Sequence, residues 1–511
     1  MRRDKHSRLA NRKRRISRRL RPRTWTAQPD PMLAASNIHY ELSDRTRGLD
    51  TGGIGAMHRL AQQVGLVQAI DERLKLLKVH LPYHESDHVL NVAYNILCGG
   101  TCIEDIEWRR NNEVYLDALG AQRIPDPTTE GDFCRRFTER DVEVLMDAIN
   151  EVRLGVWSHQ PAAFFTEAVV EADGTMAPTT GECKEGMDIS YKGEWGYHPL
   201  VVSLANTGEP LYLVNRGGNR PSHEGAAKRL DQALVLCQRA GFRKVTFRGD
   251  TDFSQTAHLD RWDGEGARFV FGCDAKANLV ERAEGLSRRA WRRLQRRAKY
   301  TVETEERSRP RNVKEAIVVK REFTNIRLRS EDVAEFAYSP TKCEKTYRMV
   351  VVRKNLSVEK GELCLFDDVR YFFYITNDWT STAAEVVFTA NDRCNQENLI
   401  AQLKSGVRAT QMPVDNLVSN WAYMVMASLA WTLKAWFALA LPESGRWKER
   451  YRKEKETVLR MEFRTFLNAF MRVPAQVVRT GRRIVFRLLS WNPWQGVFLR
   501  LVDRLATPMR I

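Results

Sequence analysis

The order of strand and helix signals between Thr166 and Asp274 constrains this chain more than any other feature. TEAVVEADGT (166–175) is a β-branched, apolar run that reaches Asp173 just before a glycine. YHPLVVSLANTGEPLYLVN (197–215) is two strands joined through Asn206-Thr207-Gly208, residues with hairpin-turn chemistry. From His223 to Ala240, Ala227, Leu230, Ala233, Leu234 and Cys237 recur at helical spacing. FRKVTFRGD (242–250) is a strand that ends in Asp250, SQTAHLDRWDGEG (254–266) is a helix, and ARFVFGCD (267–274) a further strand.

Strand, two-stranded hairpin, helix, strand, helix, strand is the element order of the ribonuclease-H-like α/β fold. In that fold the first and fourth strands are neighbours, so Asp173 and Asp250 are expected side by side. The fold is expected to be interrupted. GLSRRAWRRLQRRAKY (285–300) reads as a basic helix, with Arg288, Arg292 and Arg296 at i,i+4, as are Arg289, Arg293 and Arg297, while Trp291 falls on the other side. From about Lys314 to Thr376 the chain alternates as strands. The expected divisions are a basic, unstructured arm (1–30), an all-helical domain (31–160) and the first part of the α/β core (161–280). A basic helix and β-rich insertion (281–380), the closing core helices (381–440) and a basic helical C-terminal region (441–511) follow. Thr129 is a candidate cap for a helix in the all-helical part.

A chain of 511 residues implies two to four folding units. Its net charge of +17 is concentrated at the ends: residues 1–24 hold 12 Lys/Arg against one Asp, and residues 441–511 hold 16 against 6 acids. That distribution points to localised contact with a polyanion. Seven Lys/Arg without an acid between Gly285 and Val302 add a third basic segment, read as DNA-contacting. Nine cysteines without a CxxC pair exclude a disulfide scaffold and a zinc-ligand pattern. WAYMVMASLAWTLKAWFALAL (421–441) is long enough to span a bilayer, but Lys434 within it marks a buried core helix, and no membrane role is expected.

NDRCNQENLIAQLKSG (391–406) falls on the closing helix. At ~100° per residue, Arg393, Glu397 and Lys404 share one side. Alone, this is an ordinary ion-pair face. With Asp173 and Asp250 at strand ends upstream, Glu397 becomes a third carboxylate of a site suited to two hard divalent cations, Mg²⁺ or in its place Mn²⁺. Asp252 is a rival for Asp250, and Glu171 shares the strand face of Asp173.

ADGT, RGDTDFS and the R-(3)-E-(6)-K spacing resemble the DDE transposases of bacterial insertion sequences. Within these the likeness is to the group with a Y-(2)-R-(3)-E-(6)-K signature and a β-stranded insertion, and above all to insertion-sequence family thirteen-eighty. DISYKGEWGYHPL, RCNQENLIAQLKSG and NWAYMVMASLAW carry it further. The resemblance implies that Asp173, Asp250 and Glu397 are the catalytic metal ligands and that Arg393 and Lys404 hold DNA phosphates. It also implies that a tryptophan, Trp291 or Trp379, receives a flipped base. The signature tyrosine would fall at position 390, which is Ala390, with Phe388 two residues out of register.

The expected function is therefore transposition. A homodimer would synapse two double-stranded element ends, cleave them by two-metal hydrolysis and join the 3′-hydroxyls to target DNA, in the bacterial cytoplasm at the nucleoid. Terminal-repeat recognition is expected from the N-terminal helices, with the basic insertion as a second source, and not from the three carboxylates. A nuclease that cuts without joining, and a catalytically inactive DNA-binding descendant, are the alternatives.

Overall fold

The structure, a computed structural model, describes residues 2–21, 32, 35, 38–40, 46–296, 324–360, 363–480 and 483–506. β1 (Gly48–Leu49) precedes a run of helices, and β2 (Ala168–Gly174) opens the central sheet. Three short strands, β3 (Ala177–Pro178), β4 (Asp188–Ile189) and β5 (Trp195–Tyr197), make a separate small sheet. The hairpin β6 (Leu200–Leu204) and β7 (Glu209–Val214) follows, then β8 (Val245–Gly249) and β9 (Arg268–Cys273). β10 (Arg292–Arg293), β11 (Thr324–Tyr338), β12 (Tyr347–Lys360) and β13 (Leu363–Thr376) come next, and β14 (Ala475–Thr480) and β15 (Arg483–Leu488) close the chain's strands.

Nine strands form one sheet in the order β10-β11-β12-β13-β9-β8-β2-β6-β7. β2 is parallel to β8, and β8 to β9, while β2–β6 and β6–β7 are antiparallel. β8 is buried throughout, as a central strand must be, with Val245 and Phe247 in the core and the charge of Arg248 met by Glu171. The first and fourth strands are thus neighbours, as the element order predicts. The β-rich segment after β9 is not a separate body. β13 pairs with β9 over Phe373–Thr376 and makes β10–β13 an extension of the same sheet.

Seven α-helices lie between Ile54 and Ser158, with the short strand β1 ahead of them inside the span expected to be all-helical. Glu85–Leu97 and Glu139–Ser158 pack along Leu417–Leu439, whose residues from Ser419 to Leu439 are all buried, so the apolar segment is the shared core helix expected of it. The helix Pro127–Arg135 is capped by Asp126, whose carboxylate accepts the Thr129 amide at 2.9 Å, with Pro127 at the first turn; Thr129 itself is inside the helix.

Glu209 joins these parts. Its buried carboxylate accepts Arg153 Nε at 3.0 Å, Trp157 Nε1 at 3.0 Å and Trp436 Nε1 at 2.8 Å, tying the helix Glu139–Ser158, strand β7 and the core helix together.

Lys434 is fully buried in the core helix, over the Trp431 ring at 4.0 Å, and donates to the Leu459 carbonyl at 2.5 Å near the end of helix Lys448–Arg460. Burial lowers its pKa from 10.5 to about 7. The unfolded chain therefore binds the extra proton between those values, and stability rises with pH across that window. Wild-type protein should gain about 2 kcal/mol from this group between pH 7 and 9. Lys434→Met should lack that increment in urea denaturation, and equal pH slopes for the two proteins would disprove it.

Three regions depart from expectation. Residues 2–19 are helical rather than unstructured, and Arg12 donates to the Leu488 and Ser490 carbonyls at 2.8 and 3.2 Å, which anchors this basic helix on the C-terminal region. The C-terminal region is not wholly helical: β14 and β15 form a hairpin whose β14 edge pairs with β1, because Ala475 and Val477 alternate inward. The basic segment at 285–300 is not a helix where described. Arg288–Ala290 is a single turn, and Arg292 and Arg293 pair with Val333 and Asp332 as the edge strand β10. Leu294 is buried and Trp291 half-buried on the insertion sheet, and an edge strand satisfies both burials.

Candidate active site

The register between β2 and β8 runs Ala168 opposite Val245 to Glu171 opposite Arg248, and carried two residues further it sets Asp173 level with Asp250. Both lie at the same end of the sheet. Asp250 terminates β8 and caps the turn Thr251–Phe253, accepting the Asp252 amide at 3.0 Å. Asp252 is therefore the residue whose backbone orients Asp250.

Glu171 is set apart from this pair. It is buried and bound by Arg248, 2.6 Å away, and Arg248 also donates to the Thr389 carbonyl at 2.8 Å. That ion pair fastens the helix Ala383–Asn391 to the sheet next to the carboxylates.

Glu397 comes from the following helix, Cys394–Ala401, packed on β2. Its neighbour Gln396 does the positioning. Buried at 3 % exposure, Gln396 donates to the Val201 carbonyl at 3.1 Å and accepts the Ser203 hydroxyl, clamping the helix to β6, the strand paired with β2. Sequence reasoning passed over Gln396; the available signal was a polar residue one position from Glu397 among the helix's inward-facing positions.

The electrostatics bind the group together. Burial first, then the negative charges of Asp250 and Glu397, raise the Asp173 pKa to about 7 against the opposing pull of Arg393 and the Gly174 amide. Arg393 Nη1 lies 3.2 Å from Asp250 Oδ2. Among the described residues no three carboxylate, histidine or cysteine side chains stand close enough to cage an ion, Asp250 being engaged by Arg393. The donor chemistry nevertheless fits a hard divalent cation: three carboxylates, two strand-end and one helical, whose mutual repulsion only one guanidinium offsets.

Lys404 does not continue the Arg393–Glu397 line. Residues Gln402–Gly406 form a π-turn, which widens the helix and rotates Lys404 toward the small sheet. Burial lowers its pKa, and the charge that opposes this is Glu194. His198, against Gly174, feels Lys404 and Asp252, so Lys404 flanks the carboxylates from the β2–β6 side.

Ala390 is buried, packed with Val386 and Val387 against Val270, Leu294, Val333, Val350 and Val352 of the sheet. A tyrosine ring there would have to enter that core. A phenol from β13 packs beside this cluster: Tyr374 Oη lies 3.5 Å from Asn391 Oδ1, and the charges of Arg296 and Arg393 act on it.

The remaining predicted contacts are dispersed. Arg288, Arg289, Arg292 and Arg293 are exposed along the β10 edge, Arg296 is ion-paired with the buried Glu331, and Arg297 lies outside the described residues. Trp291 is half-buried, with the Arg353 guanidinium 4.3 Å from its ring centroid and Tyr371 beside it. Trp379 is exposed but follows β13 beyond Thr376, which pairs toward the start of β9, at the opposite end of the sheet from Asp173 and Asp250.

With this geometry in hand, comparison identifies the class. Residues 49–509 match the family described as transposase DDE domain group 1, and the chain belongs to that family: it is a DDE transposase by sequence. Among solved structures it is similar to a piggyBac transposase synaptic complex with hairpin DNA, at 11 % identity and a TM-score of 0.31, covering 81 % of this chain and 87 % of that one. No curated protein matches.

Proposed function

We propose that this protein is the transposase of a bacterial insertion sequence related to family thirteen-eighty, with a ribonuclease-H-like catalytic core. In this reading a homodimer binds the terminal inverted repeats as double-stranded DNA, cleaves the element ends and transfers their 3′-hydroxyls into target DNA. The observation that carries it is the level placement of Asp173 and Asp250 on adjacent parallel strands, with Glu397 brought over them by Gln396.

Asp173, Asp250 and Glu397 would hold Mg²⁺ or Mn²⁺, which when bound supplies activation of the attacking oxygen and charge neutralisation at the leaving oxygen. The chain's own residues set the rest. Arg393, which pairs with Asp250 at 3.2 Å, would be the cation left to hold a DNA phosphate if Asp250 served as an ion ligand. Lys404 offers a second cation on the other flank, at a site where burial weakens its hydration. The Glu171–Arg248 pair and Gln396 fix the strands and helix that carry the three carboxylates, so that only their side chains would have to converge on an ion. The basic edge around Arg288, Arg289, Arg292 and Arg293 extends phosphate contact away from the centre.

The test is incubation of the full chain with Mg²⁺ and a plasmid carrying the inverted repeats that flank its coding frame. The expected products are cut ends and strand-transfer joints. Cut ends alone would support the nuclease reading, and binding without cleavage the inactive descendant.

A further inference from the structure

The row that sets Asp173 level with Asp250 continues across β9 into β13. Gly249 of β8 pairs with Phe271 of β9, so one residue further Asp250 is level with Gly272, and Gly272 is the partner of Tyr374 in β13. Asp173, Asp250, Gly272 and Tyr374 thus stand in one line over four adjacent strands. At ~4.8 Å between strands, Tyr374 starts about 10 Å from Asp250, with only a glycine between them. That glycine is required. A Cβ on Gly272 would sit 2.9 Å from the Thr251 nitrogen and 3.2 Å from the Asp250 carbonyl carbon, and would push the turn that carries Asp250 off β9.

Tyr374 is on the face of the sheet that the carboxylates occupy. It packs with Val270, Val386 and Val387, the last two from the helix Ala383–Asn391. Arg248, two residues before Asp250 and so on the same face, reaches the Thr389 carbonyl of that helix at 2.8 Å. Tyr374 Oη donates to Asn391 Oδ1 at 3.5 Å, well past the ~2.8 Å usual for a hydroxyl. Two residues on from Asn391, Arg393 Nη1 holds Asp250 Oδ2 at 3.2 Å. The phenol and the guanidinium therefore reach the same end of the sheet side by side. Burial raises the phenol's pKa, so the hydroxyl keeps its proton. A half-buried hydroxyl engaged by a long bond is a donor that a better acceptor can claim.

We propose that Tyr374 is a phosphate-contacting residue of this centre, whose hydroxyl leaves Asn391 and donates to a non-bridging oxygen of the DNA phosphate being cut, beside Arg393. This rests on the reading of the carboxylate centre as a DNA-processing site. A neutral donor there stabilises the charge that grows on the phosphate oxygens and adds no positive charge beside the carboxylates.

The test measures single-turnover cleavage by the full chain in Mg²⁺, on DNA carrying the inverted repeats that flank its coding frame. Tyr374→Phe removes the hydroxyl alone. It should cut about 10- to 100-fold more slowly, with an unchanged melting temperature. Its affinity for the uncut end in metal-free buffer should change by less than about threefold, since one bond among many phosphate contacts is lost. Substrates with a phosphorothioate of either configuration at the cleaved linkage assign the contact. Sulfur accepts a hydrogen bond poorly, so with the diastereomer that turns sulfur toward the phenol, wild type and variant should cut at matching rates. Wild-type speed in Tyr374→Phe on the oxygen substrate overturns the proposal and leaves the transposase reading standing. So does a loss of the same size on oxygen and both sulfur substrates, with or without a fall in melting temperature, which makes the phenol a packing group. Failure of the wild type to cut overturns the DNA-processing centre itself, and this contact with it.

Discussion

Asp173→Asn should abolish end cleavage, by about 1,000-fold or more, and yet stabilise the protein in the absence of divalent ions. On the proposed reading, the substitution removes one of three carboxylates that would hold an ion, and an ion's share of transition-state stabilisation, ~4 kcal/mol, is a factor of a thousand. The stabilisation follows from the raised pKa. Burial, with Asp250 and Glu397 nearby, holds the folded Asp173 at about 7. Its ionisation opposes folding, so stability falls as pH rises from the unfolded carboxyl's value, ~4, towards 7. At pH 8 the amide should be more stable than wild type by about 1–3 kcal/mol, and below pH 4 the two should coincide. Mg²⁺ or Mn²⁺ should raise the wild-type melting temperature at pH 8 and leave the variant unmoved. A variant that melts below wild type at pH 8, without metal, would contradict the electrostatic account.

Glu209→Ala should destabilise the chain by about 3–5 kcal/mol, enough to deplete folded protein. The substitution strands Arg153, which is 1 % exposed and whose guanidinium otherwise meets Glu209 and the Pro210 carbonyl. It also leaves the indole N–H groups of Trp157 and Trp436 without their acceptor. Because the donors come from two helices far apart in sequence, Glu139–Ser158 and Leu417–Leu439, the loss should appear as one cooperative transition moved to lower urea. A shift below about 1 kcal/mol, or separate unfolding of the helical and sheet portions, would show that Glu209 does not unite them.

The parts of this molecule that were legible in its sequence are those in which one local signal had one structural solution. The Asn206-Thr207-Gly208 turn allowed only a hairpin, and buried strands closing on Asp173 and Asp250 left few ways to order β2, β6, β7 and β8. Arginines at i,i+4 around Trp291 were ambiguous: the same spacing suits a helix face or an edge strand, and only the presence of β11 decides for the strand. The first 19 residues are almost without apolar side chains, so their helix depends on carbonyl acceptors at Leu488 and Ser490 that no local pattern discloses. At the candidate site, spacing alone left Glu397 on an ordinary ion-pair face until Asp173 and Asp250 were set upstream of it, and the π-turn that diverts Lys404 towards Glu194 left no local signal. Nor did the packing that makes Ala390 a core residue, since its neighbours Val270, Val333 and Val350 come from strands remote in sequence.

The pairing of β13 with β9 has a mechanical consequence. β13 is held by β9 only at Phe373–Thr376, and its earlier residues, from Leu363, run on with β11 and β12 past that attachment. At ~3.3 Å per residue the overhang is about 30 Å. It is a cantilever rooted in the strand beside β8, so a degree of rotation at the root is magnified along the beam. The basic strand β10 lies level with Tyr371 and Phe372, beside the root, so a load at the far end of β11–β13 would be felt at Asp250 as torque.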